Sequence, residues 1–358
     1  MSREMMMMRT ILVLVGSRSG ISQELDATRS PTAAPPAIAS PNARPLAFTE
    51  AMQKAAAPLL AAVVTDVDGT LFPFGEAPQV SDGNIKALKH ALDYNVHVCL
   101  ATGRMPGPWS DRIRRQLPRL GASVFVNGSL VVDEDGTVLS EVKLPAAAVA
   151  AVEEYSRGGC AGAGGGRLCV LAATRWPDAG PQWGSLRYAE LAPDGTESWV
   201  TRLIRSAGEP EAVLLPDLQP LLEAGAQPVL KFCLWTSPGE EGWCEMPTVV
   251  AALRKALDGT GATVLDCGPK QCEILPPECN KGSGVERLLR HLGVAAASTL
   301  ACGDAENDVE MLKLVGVGAA MGNAKPAAKE VADAVVGTND EDGVAQAVTQ
   351  FVFGEKPP

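Results

Sequence analysis

The sequence predicts an α/β protein that has a Rossmann-like parallel-sheet core and an inserted α/β cap domain. Two observations predict it. In two separated stretches of the chain, short apolar runs alternate with helical patterns, and several of these runs end in acidic or hydroxyl side chains. The stretch between them carries its own helix and strand patterns but no such motif. Because alternating strands and helices favour parallel βαβ units, we expect one core built from two segments.

The first core segment is predicted to span residues 58–144. Residues 63–67 and 97–101 are short apolar runs typical of buried strands, and residues 85–92 between them carry apolar side chains at helical spacing. Residues 133–136 form an acidic sequence that ends in glycine, which is typical of a hairpin turn. These elements would form the first half of the parallel sheet and its edge.

An inserted cap is predicted over residues 145–268, after which the core resumes over residues 269–358. Within the cap, strand-like runs at 168–171 and 229–235 alternate with helical patterns. The glycine-rich residues 158–166 follow no apolar strand, so we interpret them as a flexible loop and not as a phosphate-binding turn. Four tryptophans of the cap either pack in its core or stack on a ligand: Trp176, Trp183, Trp235 and Trp243.

Residues 1–57 differ in composition from the rest of the chain. They are rich in Ser, Thr, Ala and Pro and contain five arginines but few acids, which predicts a disordered extension. This composition is also typical of an organelle transit peptide, although Glu4, Glu24 and Asp26 argue against one. We therefore expect a cytoplasmic protein, or a plastid or mitochondrial one if the extension is a transit peptide.

Composition and charge exclude several classes of function. The 358 residues carry 42 acidic against 31 basic side chains, a net charge of -11, and no long basic run, so binding to nucleic acid or to an anionic membrane is disfavoured. Nine cysteines are scattered without metal-ligand spacing, which predicts reduced, mostly buried thiols in a reducing compartment. Three histidines lie away from the polar motifs, and we expect them to be packing or surface residues.

The first acidic motif follows the first predicted strand, at the edge where parallel α/β sheets place their sites. Asp66 and Asp68 are separated by one residue and precede Gly69. Because glycine lets the backbone bend there, both carboxylates can converge on one bound ligand. An ordinary acidic turn or a calcium loop has a similar sequence, so this motif alone leaves the function open.

Three further polar motifs follow predicted strands or begin a predicted helix. They are Thr102 with Gly103 after the second strand, Lys281 at the start of a helical pattern, and Asp304 with Asp308 after a later strand. The chain therefore supplies acid, hydroxyl, ammonium and acid groups in that order. Phosphoryl transfer needs such groups, because it depends on alignment and on stabilisation of charge.

These four ordered motifs resemble those of the haloacid dehalogenase (HAD) superfamily, specifically its Cof-type (HAD-IIB) phosphatases with a C2-type cap. The resemblance covers residues 60–352 and extends to residues 126–128, 273–276 and 320–324, which are similar to further segments of that family. It implies a HAD-like core fold and the activity of a phosphoric monoester hydrolase. It implies much less about the substrate.

The resemblance implies roles for four catalytic residues. Asp66 would attack phosphorus and form an aspartyl-phosphate, and Asp68 would protonate the leaving alkoxide and later take a proton from water. Lys281 would supply positive charge, and Thr102 would hold a phosphate oxygen. Taken alone, Thr102 could instead cap the following helix, and Lys281 could be a solvated lysine at a helix start.

The same resemblance implies a Mg²⁺ cofactor. Asp66, Asp304 and Asp308 bring several negative oxygens together, and these would repel one another without a cation between them. Mg²⁺ prefers oxygen ligands, and the resemblance adds the backbone carbonyl of Asp68 to the set.

Binding of the substrate phosphate is expected from residues at the same strand and helix ends. Arg104 either contacts the substrate or pairs with a surface carboxylate. Asn307 either contacts the phosphate or caps the helix that begins near Asp308. The residues expected to bind substrate or phosphate are Gly69, Thr102, Gly103, Arg104, Asn127, Lys281 and Asn307.

The predicted function is Mg²⁺-dependent hydrolysis of a small phosphomonoester, such as a sugar phosphate, a nucleotide or a cofactor-precursor phosphate. One alternative is a phosphomutase resembling phosphomannomutase, which would pass the phosphoryl group to a second hydroxyl. Another is a non-catalytic ligand-binding regulator with the same fold. The expected partner is a small molecule, and the sequence does not predict an oligomeric state.

Overall fold

A computed structural model of the protein describes residues 58–73, 79–158, 167–175, 186–222, 229–239 and 242–355. The predicted N-terminal extension therefore lies outside the described residues. So do the glycine-rich loop beyond Gly158, and Trp176 and Trp183. For Trp243, only the backbone is described.

Strands alternate with helices along the described chain. The strands are β1 (Ala62–Thr65), β2 (His97–Leu100), β3 (Ser123–Phe125), β4 (Leu130–Val132), β5 (Val138–Glu141), β6 (Arg167–Arg175), β7 (Leu186–Leu191), β8 (Ala212–Leu215), β9 (Val229–Gly239), β10 (Gly242–Trp243), β11 (Thr263–Asp266), β12 (Gln271–Leu275), β13 (Thr299–Gly303), β14 (Val317–Ala320) and β15 (Ala334–Val335). The α-helices are α1 (Asp82–Asp93), α2 (Pro108–Gln116), α3 (Ala146–Arg157), α4 (Trp199–Ser206), α5 (Gln219–Leu222), α6 (Met246–Ala256), α7 (Lys281–Leu292), α8 (Val309–Leu314), α9 (Pro326–Val331) and α10 (Gly343–Ala347). Short 3₁₀-helices occupy Val126–Gly128, Ala296–Ser298, Glu306–Asp308 and Asn339–Glu341, and a π-helix spans Val348–Val352.

Five parallel strands form the central sheet, in the order β15-β14-β13-β1-β2. Strand β1 lies between two neighbours and is buried along its whole length, with Val64 opposite Ala301 on one side and Cys99 on the other. Because all five strands run in the same direction, their carboxyl ends meet at one edge of the sheet. The parallel core predicted from the sequence is therefore confirmed.

A three-stranded antiparallel sheet in the order β3-β4-β5 adjoins the central sheet. A bridge between Ala101 and Val124 joins the two sheets beyond β2. The turn between β4 and β5 is closed by the backbone N–H of Asp133, which donates to the carbonyl of Thr137 at 2.9 Å. The hairpin turn predicted from the acidic sequence is thus confirmed.

The cap contains a seven-stranded sheet in the order β11-β12-β9-β6-β7-β8, with β10 paired to β9. Its strands are antiparallel, except that β7 and β8 run parallel. Phe232 of β9 forms one buried cluster with Val152 of α3 and Val249 of α6. Leu171 and Tyr188 belong instead to the buried cluster of the core. The cap sheet therefore faces the core, and helices α3 and α6 cover its other face.

The cap sheet ends later than the boundary predicted from the sequence. The boundary after residue 268 falls inside the hairpin of β11 and β12. Strand β12 also pairs with β9, where Glu273 lies opposite Cys233, so residues up to Leu275 belong to the cap sheet. The apolar pattern of β12 fits either sheet, and only its hydrogen-bonded partners decide between them.

Cysteines and histidines of the described chain mostly agree with expectation. Seven of the described cysteines form no disulfide, and six of these are buried. Cys244 is disulfide-bonded, so the prediction of reduced thiols is wrong for this residue, because spacing alone does not reveal pairing. His90, His97 and His291 are exposed, and His90 packs against Phe353 with ring centroids 4.5 Å apart. None of the described helices combines the length and apolar character that crossing a membrane requires.

Candidate active site

The predicted motif residues converge at the carboxyl edge of the central sheet. Asp66 directly follows β1, Thr102 lies two residues beyond β2, and Asp304 directly follows β13. Thr65 at the end of β1 pairs with Cys302 of β13, so these strands end at a similar height. The parallel register thus brings together motifs that are far apart in the sequence.

Lys281 is a buried ammonium at the centre of this edge. Its Nζ donates to Asp66 Oδ1 and to Asp308 Oδ1, both at 2.6 Å. Asn280 caps helix α7 by accepting the amide of Ser283 at 2.8 Å, which makes Lys281 the first helical residue. Burial alone would lower the pKa of Lys281, but the carboxylates of Asp308 and Asp66 outweigh it and raise that pKa above its usual value. At 1% exposure, Lys281 is not a solvated lysine.

Asp308 is fully buried, and both of its oxygens have partners within the protein. Oδ1 accepts from Lys281, and Oδ2 accepts from the amides of Asp304 at 2.9 Å and Ala305 at 3.0 Å. These contacts fix the ammonium and the loop that carries Asp304. The geometry therefore favours a positioning role for Asp308, and its role as a metal ligand stays a prediction.

Asp66, Asp304 and Asp308 form a group that fits a metal ion, since their oxygens lie within 4.8 Å of one another. Thr70 Oγ1 donates to Asp304 Oδ1 at 3.0 Å and steadies that carboxylate. Gly69 has a φ of +77°, and a Cβ there would lie only 2.5 Å from Asp304 Oδ2, so glycine leaves the room that this carboxylate needs. Carboxylate oxygens are the ligands that Mg²⁺ prefers. The donor set therefore fits the expected ion.

Two carboxyl groups of this cluster have raised pKa values. Burial raises the pKa of Asp66 well above its usual value, and the charge of Asp308 adds to the shift. Burial also raises the pKa of Asp304 to about 7, again with Asp308 as the second cause. Lys281 opposes both shifts without cancelling them. Three carboxyl groups thus share one ammonium, and a bound dication would neutralise the remaining negative charge.

Asp68 lies on the turn after β1 and is held by Arg104. The guanidinium donates from Nε to Asp68 Oδ2 at 2.7 Å and from Nη2 to Oδ1 at 2.5 Å, which is a bidentate ion pair. Nη1 donates to the carbonyl of Ala207 in the cap at 3.1 Å. The guanidinium also lies over the rings of Phe72 and Trp109. Arg104 therefore pairs with a carboxylate, but that carboxylate is the candidate acid and not a surface group.

Three predicted phosphate-binding residues have partners within the protein. The N–H of Gly69 donates to the carbonyl of Phe72 at 2.9 Å, so the turn itself uses this amide. Thr102 Oγ1 accepts from the amide two residues later at 3.1 Å, a contact that does not use the hydroxyl hydrogen. The carbonyl of Gly103 accepts from Lys231 at 2.8 Å. Phosphate binding by these residues stays a prediction, and the geometry favours Thr102 over Gly69.

Cap and core meet in a buried polar contact beside the connection from β12 to α7. Lys231 Nζ donates to Glu273 Oε1 at 2.6 Å and to the carbonyl of Gly103. Glu273 Oε2 accepts from Asn127 Nδ2 at 2.5 Å. Asn127 Oδ1 in turn accepts from Asn307 Nδ2 at 3.1 Å. We call Lys231, Glu273, Gly103 and Asn127 the hinge-side contact.

A second contact joins the cap to the core near the other edge of the cap sheet, in the loop before β8. The amide of Met105 donates to Glu209 Oε2 at 3.2 Å, and the amide of Trp109 donates to the carbonyl of Gly208 at 3.2 Å. Tyr188 donates its hydroxyl to the same Glu209 oxygen at 3.4 Å. We call Ala207, Gly208 and Glu209, with Arg104, Met105 and Trp109, the far-side contact.

Sequence reasoning missed the cap residues that reach the site. Lys231 is the single charged residue in the apolar run 229–235, which is a usable signal because lysine is rarely buried without a partner. Glu273 lies in a segment that resembles the family, but the resemblance implied no role for it. Glu209 lies in an ordinary Gly-Glu-Pro loop that carries no signal.

A family model described as haloacid dehalogenase-like hydrolase matches residues 63–158 and 229–348, more than half of the chain. The chain belongs to this family. The matched segments of this haloacid dehalogenase-like hydrolase contain all of the motif residues described above and confirm the resemblance drawn from the sequence.

Two curated relatives differ widely in how much of this hydrolase they match. "Endoribonuclease YBEY, chloroplastic" of Arabidopsis thaliana is 30% identical over 306 residues, which cover 83% of this chain and 47% of that protein. "HMP-PP phosphatase" of Cronobacter sakazakii is 52% identical over 64 residues, which cover 18% of this chain and 22% of that protein. The chain thus spans less than half of the length of each of these relatives.

A solved structure of a haloacid dehalogenase-like hydrolase from Bacteroides thetaiotaomicron has a similar fold. The TM-score is 0.63 at 23% sequence identity, and the match covers 81% of this chain and 98% of that one. The match extends over both core and cap, because it includes most of the chain. At this identity it shows the fold alone.

Proposed function

We propose that this protein is a Mg²⁺-dependent phosphatase that hydrolyses a small phosphomonoester through an aspartyl-phosphate. The observation that carries the proposal is the buried Lys281 ammonium, which lies 2.6 Å from Asp66 and 2.6 Å from Asp308 at the carboxyl edge of the sheet. Membership in a haloacid dehalogenase-like hydrolase family supports it. So does the similarity to a relative named as a phosphatase.

Asp66 is the proposed nucleophile. Its backbone N–H donates to Cys302 O at 2.9 Å, and its side chain accepts from Lys281, so both ends of the residue are fixed. Attack by the carboxylate forms the new P–O bond while the alkoxide leaves, and water later releases the phosphate. The Lys281 ammonium would stabilise negative charge on the transferring phosphoryl oxygens.

Asp68 is the proposed proton donor to the alkoxide and the later proton acceptor from water. Arg104 donates to both of its oxygens, so proton transfer requires that substrate or water replaces at least one of these hydrogen bonds. Because Arg104 also donates to Ala207 of the cap, substrate binding at Asp68 would affect the far-side contact.

Asp66 and Asp304 are the residues that would hold Mg²⁺, together with the backbone carbonyl of Asp68. Their oxygens belong to the carboxylate cluster, and Thr70 keeps Asp304 in place by a hydrogen bond. When bound, the ion would supply positive charge to the phosphate oxygens. Asp308 accepts hydrogen bonds from Lys281 and from two amides of the loop that carries Asp304. It would therefore keep the ammonium and this loop in position.

The substrate is proposed to be a sugar phosphate, a nucleotide or a cofactor-precursor phosphate, whose leaving group would lie under the cap. Trp235 on the cap sheet is partly buried and packs edge to face against Trp199, with ring centroids 5.7 Å apart. For Trp235, this packing favours a core position over stacking on a ligand. Substrate choice within the class is therefore left to experiment.

Release of inorganic phosphate from a panel of phosphomonoesters tests the proposal. We expect release that requires Mg²⁺ and stops with a chelator. Asp66→Asn removes the nucleophile, so turnover should fall by more than about 10³-fold. Asp333→Asn is the matched control, because Asp333 is also buried and accepts the amide of Gly318 at 2.8 Å, but it precedes β15, which β14 and β13 separate from β1.

Other outcomes separate the alternatives. Wild-type turnover in Asp66→Asn would rule out Asp66 as the nucleophile. Transfer of the phosphoryl group between two hydroxyls of a sugar phosphate, without phosphate release, would support the phosphomutase. Binding of a phosphomonoester with Mg²⁺ but without either reaction would support the regulator.

A further inference from the structure

The hinge-side contact contains an ion pair, Lys231 with Glu273, that takes no part in the proposed phosphoryl transfer. Lys231 and Glu273 are 2% and 7% exposed, and both lie on the cap sheet. A buried ion pair loses its hydration and is compensated only if further hydrogen bonds satisfy both groups. Here the further bonds run to Gly103 and Asn127. Both of them cross from the cap to the core.

Asn127 lies in a turn whose backbone is strained. Val126, Asn127 and Gly128 have φ angles of +54°, +52° and +96°, and the left-handed region is unfavourable for a β-branched residue such as valine. The amide of Val126 donates to Arg104 O and that of Asn127 to Thr102 O, both at 3.0 Å. Such a conformation persists only where surrounding contacts fix it. The turn is therefore held against the loop that follows β2.

The side-chain amide of Asn127 connects the cap to the acidic loop of the site. Its Nδ2 donates to Glu273, and its Oδ1 accepts from Asn307 Nδ2. Asn307 directly precedes Asp308. Because an amide has distinct donor and acceptor ends, the carboxylate of Glu273 determines that the oxygen of Asn127 faces Asn307. The opposite orientation would set two NH₂ groups against each other.

We propose that Glu273 is a positioning residue for the active site. It fixes the amide of Asn127, and through it Asn307 and the acidic loop. Lys231 balances its charge and holds the carbonyl of Gly103. The base of the cap thereby sets the alignment of two loops of the site. The kinetic part of this inference rests on the proposed phosphatase activity, and its structural part does not.

Glu273→Gln tests the proposal. A carboxylate accepts from both Lys231 and Asn127, whereas a carboxamide has one oxygen and must turn its NH₂ group toward one of these two donors. We expect kcat for phosphate release to fall by about 10- to 100-fold, as for other residues that orient a site from behind. KM should change less than kcat. Unchanged kcat would overturn the proposal.

Glu153→Gln is the matched control. Glu153 is another buried glutamate of the cap, at 2% exposure, and it accepts from Gln219 Nε2 at 3.0 Å and from the amide of Leu218 at 3.3 Å. It lies on helix α3, which packs on the face of the cap sheet that points away from the core. Both variants should lower the melting temperature, but only Glu273→Gln should lower kcat. An equal loss of kcat in both would indicate a structural effect and overturn the proposal.

A second pair of variants tests whether Glu273 acts through Asn127. Glu273→Asp keeps the charge beside Lys231 but shortens the reach to Asn127, so it should also lower kcat. Asn127→Gly removes the amide without strain, because glycine accepts a positive φ. In that background, Glu273→Gln should cause a smaller fold loss in kcat than in the wild type. Equal fold losses in both backgrounds would overturn the proposed route.

Hydrogen exchange followed by mass spectrometry gives a readout that needs no activity. Exchange of the amides in residues 102–104 and 304–308 should be faster in Glu273→Gln than in the wild type, and unchanged in Glu153→Gln. If no compound is hydrolysed but this difference appears, the proposed function fails and the positioning role stands. If hydrolysis occurs and exchange is the same in all three proteins, the positioning role fails.

Discussion

The two contacts between cap and core are built differently. In the hinge-side contact, the bonds of a buried ammonium and a buried carboxylate measure 2.5–2.8 Å. In the far-side contact, the cap offers the carbonyls of Ala207 and Gly208 and the carboxylate of Glu209, at 3.1–3.8 Å from their core partners. The chain from core to cap also passes beside the first contact, where the amide of Leu144 donates to Val229 O at 2.8 Å.

This difference indicates where the cap can separate from the core. Separating cap from core at the hinge-side contact leaves Lys231 and Glu273 paired with each other but removes their bonds to Gly103 and Asn127. A hydrogen bond to a charged group contributes about 1.5–3 kcal/mol. Breaking the far-side contact exposes carbonyls and a carboxylate that water can satisfy. We therefore expect the cap to open at the far-side contact while the hinge-side contact stays closed. One contact would align the site and the other would admit the substrate.

Lys231→Met would break the hinge-side contact and has the largest expected effect. Without the ammonium, the carboxylate of Glu273 stays buried without its cation, at a cost of about 3–5 kcal/mol of folding free energy. Denaturant unfolding measures this loss. Arg290→Met is the control, because Arg290 pairs with Glu286 and both side chains are exposed, at 71% and 60%, and exposed pairs contribute about 0–1 kcal/mol. Similar small losses in both variants would contradict the comparison.

Arg104→Lys would weaken the far-side contact and has an intermediate effect. A lysine cannot reproduce the planar, bidentate pairing with Asp68 while also donating to Ala207. Because a hydrogen bond to a charged group contributes about 1.5–3 kcal/mol, kcat/KM for phosphate release should fall about tenfold or more. Arg112→Lys, at an exposed position of α2, is the control. Wild-type kinetics in Arg104→Lys would show that Asp68 functions without this pair.

Glu209→Gln tests the far-side contact through the pH dependence of folding stability, and its expected effect is the smallest of the three. Burial raises the pKa of Glu209 from 4.5 to about 7, although Arg104 and Lys231 oppose the shift; Asp68 and Tyr188 also face this group. Because the folded state raises this pKa, protonation of Glu209 stabilises the fold. This contribution to the free energy of unfolding is complete below the unfolded pKa of 4.5 and is lost as the pH rises through about 7. Glutamine does not titrate, so the variant should lose this part of the pH dependence.

The melting temperature of Glu209→Gln and of the wild type, followed across the same pH range, measures the change. The shift should be a few degrees at most, since about 1 kcal/mol corresponds to about 2–4 °C for 150–250 residues and to less in a longer chain. It is small because the far-side contact can open locally, without unfolding of the whole chain. Parallel curves for the two proteins would contradict the assignment to Glu209.

The sequence was sufficient for the core because its local patterns carry the needed information. The apolar residues 63–67 contain β1, and the acidic motif after them lies at the carboxyl edge of the sheet. Once the strands are parallel, their ends must share one edge. The meeting of Asp66, Lys281 and Asp304 follows from that geometry, and the structure brings them together.

Partners across the boundary between the two domains were not predictable in this way. The bond from Asn127 to Glu273 depends on how cap and core dock, and no local pattern encodes docking. The resemblance implied that Asp304 and Asp308 are metal ligands, but it did not reveal that the Asp308 oxygens face Lys281 and two loop amides. Similarly, the local sequence of β12 does not specify which strands lie beside it.

The position of β13 beside β1 has a consequence for the synthesis of the protein. Val63 pairs with Leu300, so β1 lacks one of its two neighbouring strands until the chain after the entire cap has been synthesised. A nascent chain that ends at Leu275 contains Asp66 and the whole cap sheet, but neither Lys281 nor β13. Pairing over such a separation in sequence is slow. A chain released early would therefore lack Lys281 and the second acidic motif. Asp66 can meet Asp304 only after most of the chain has been synthesised.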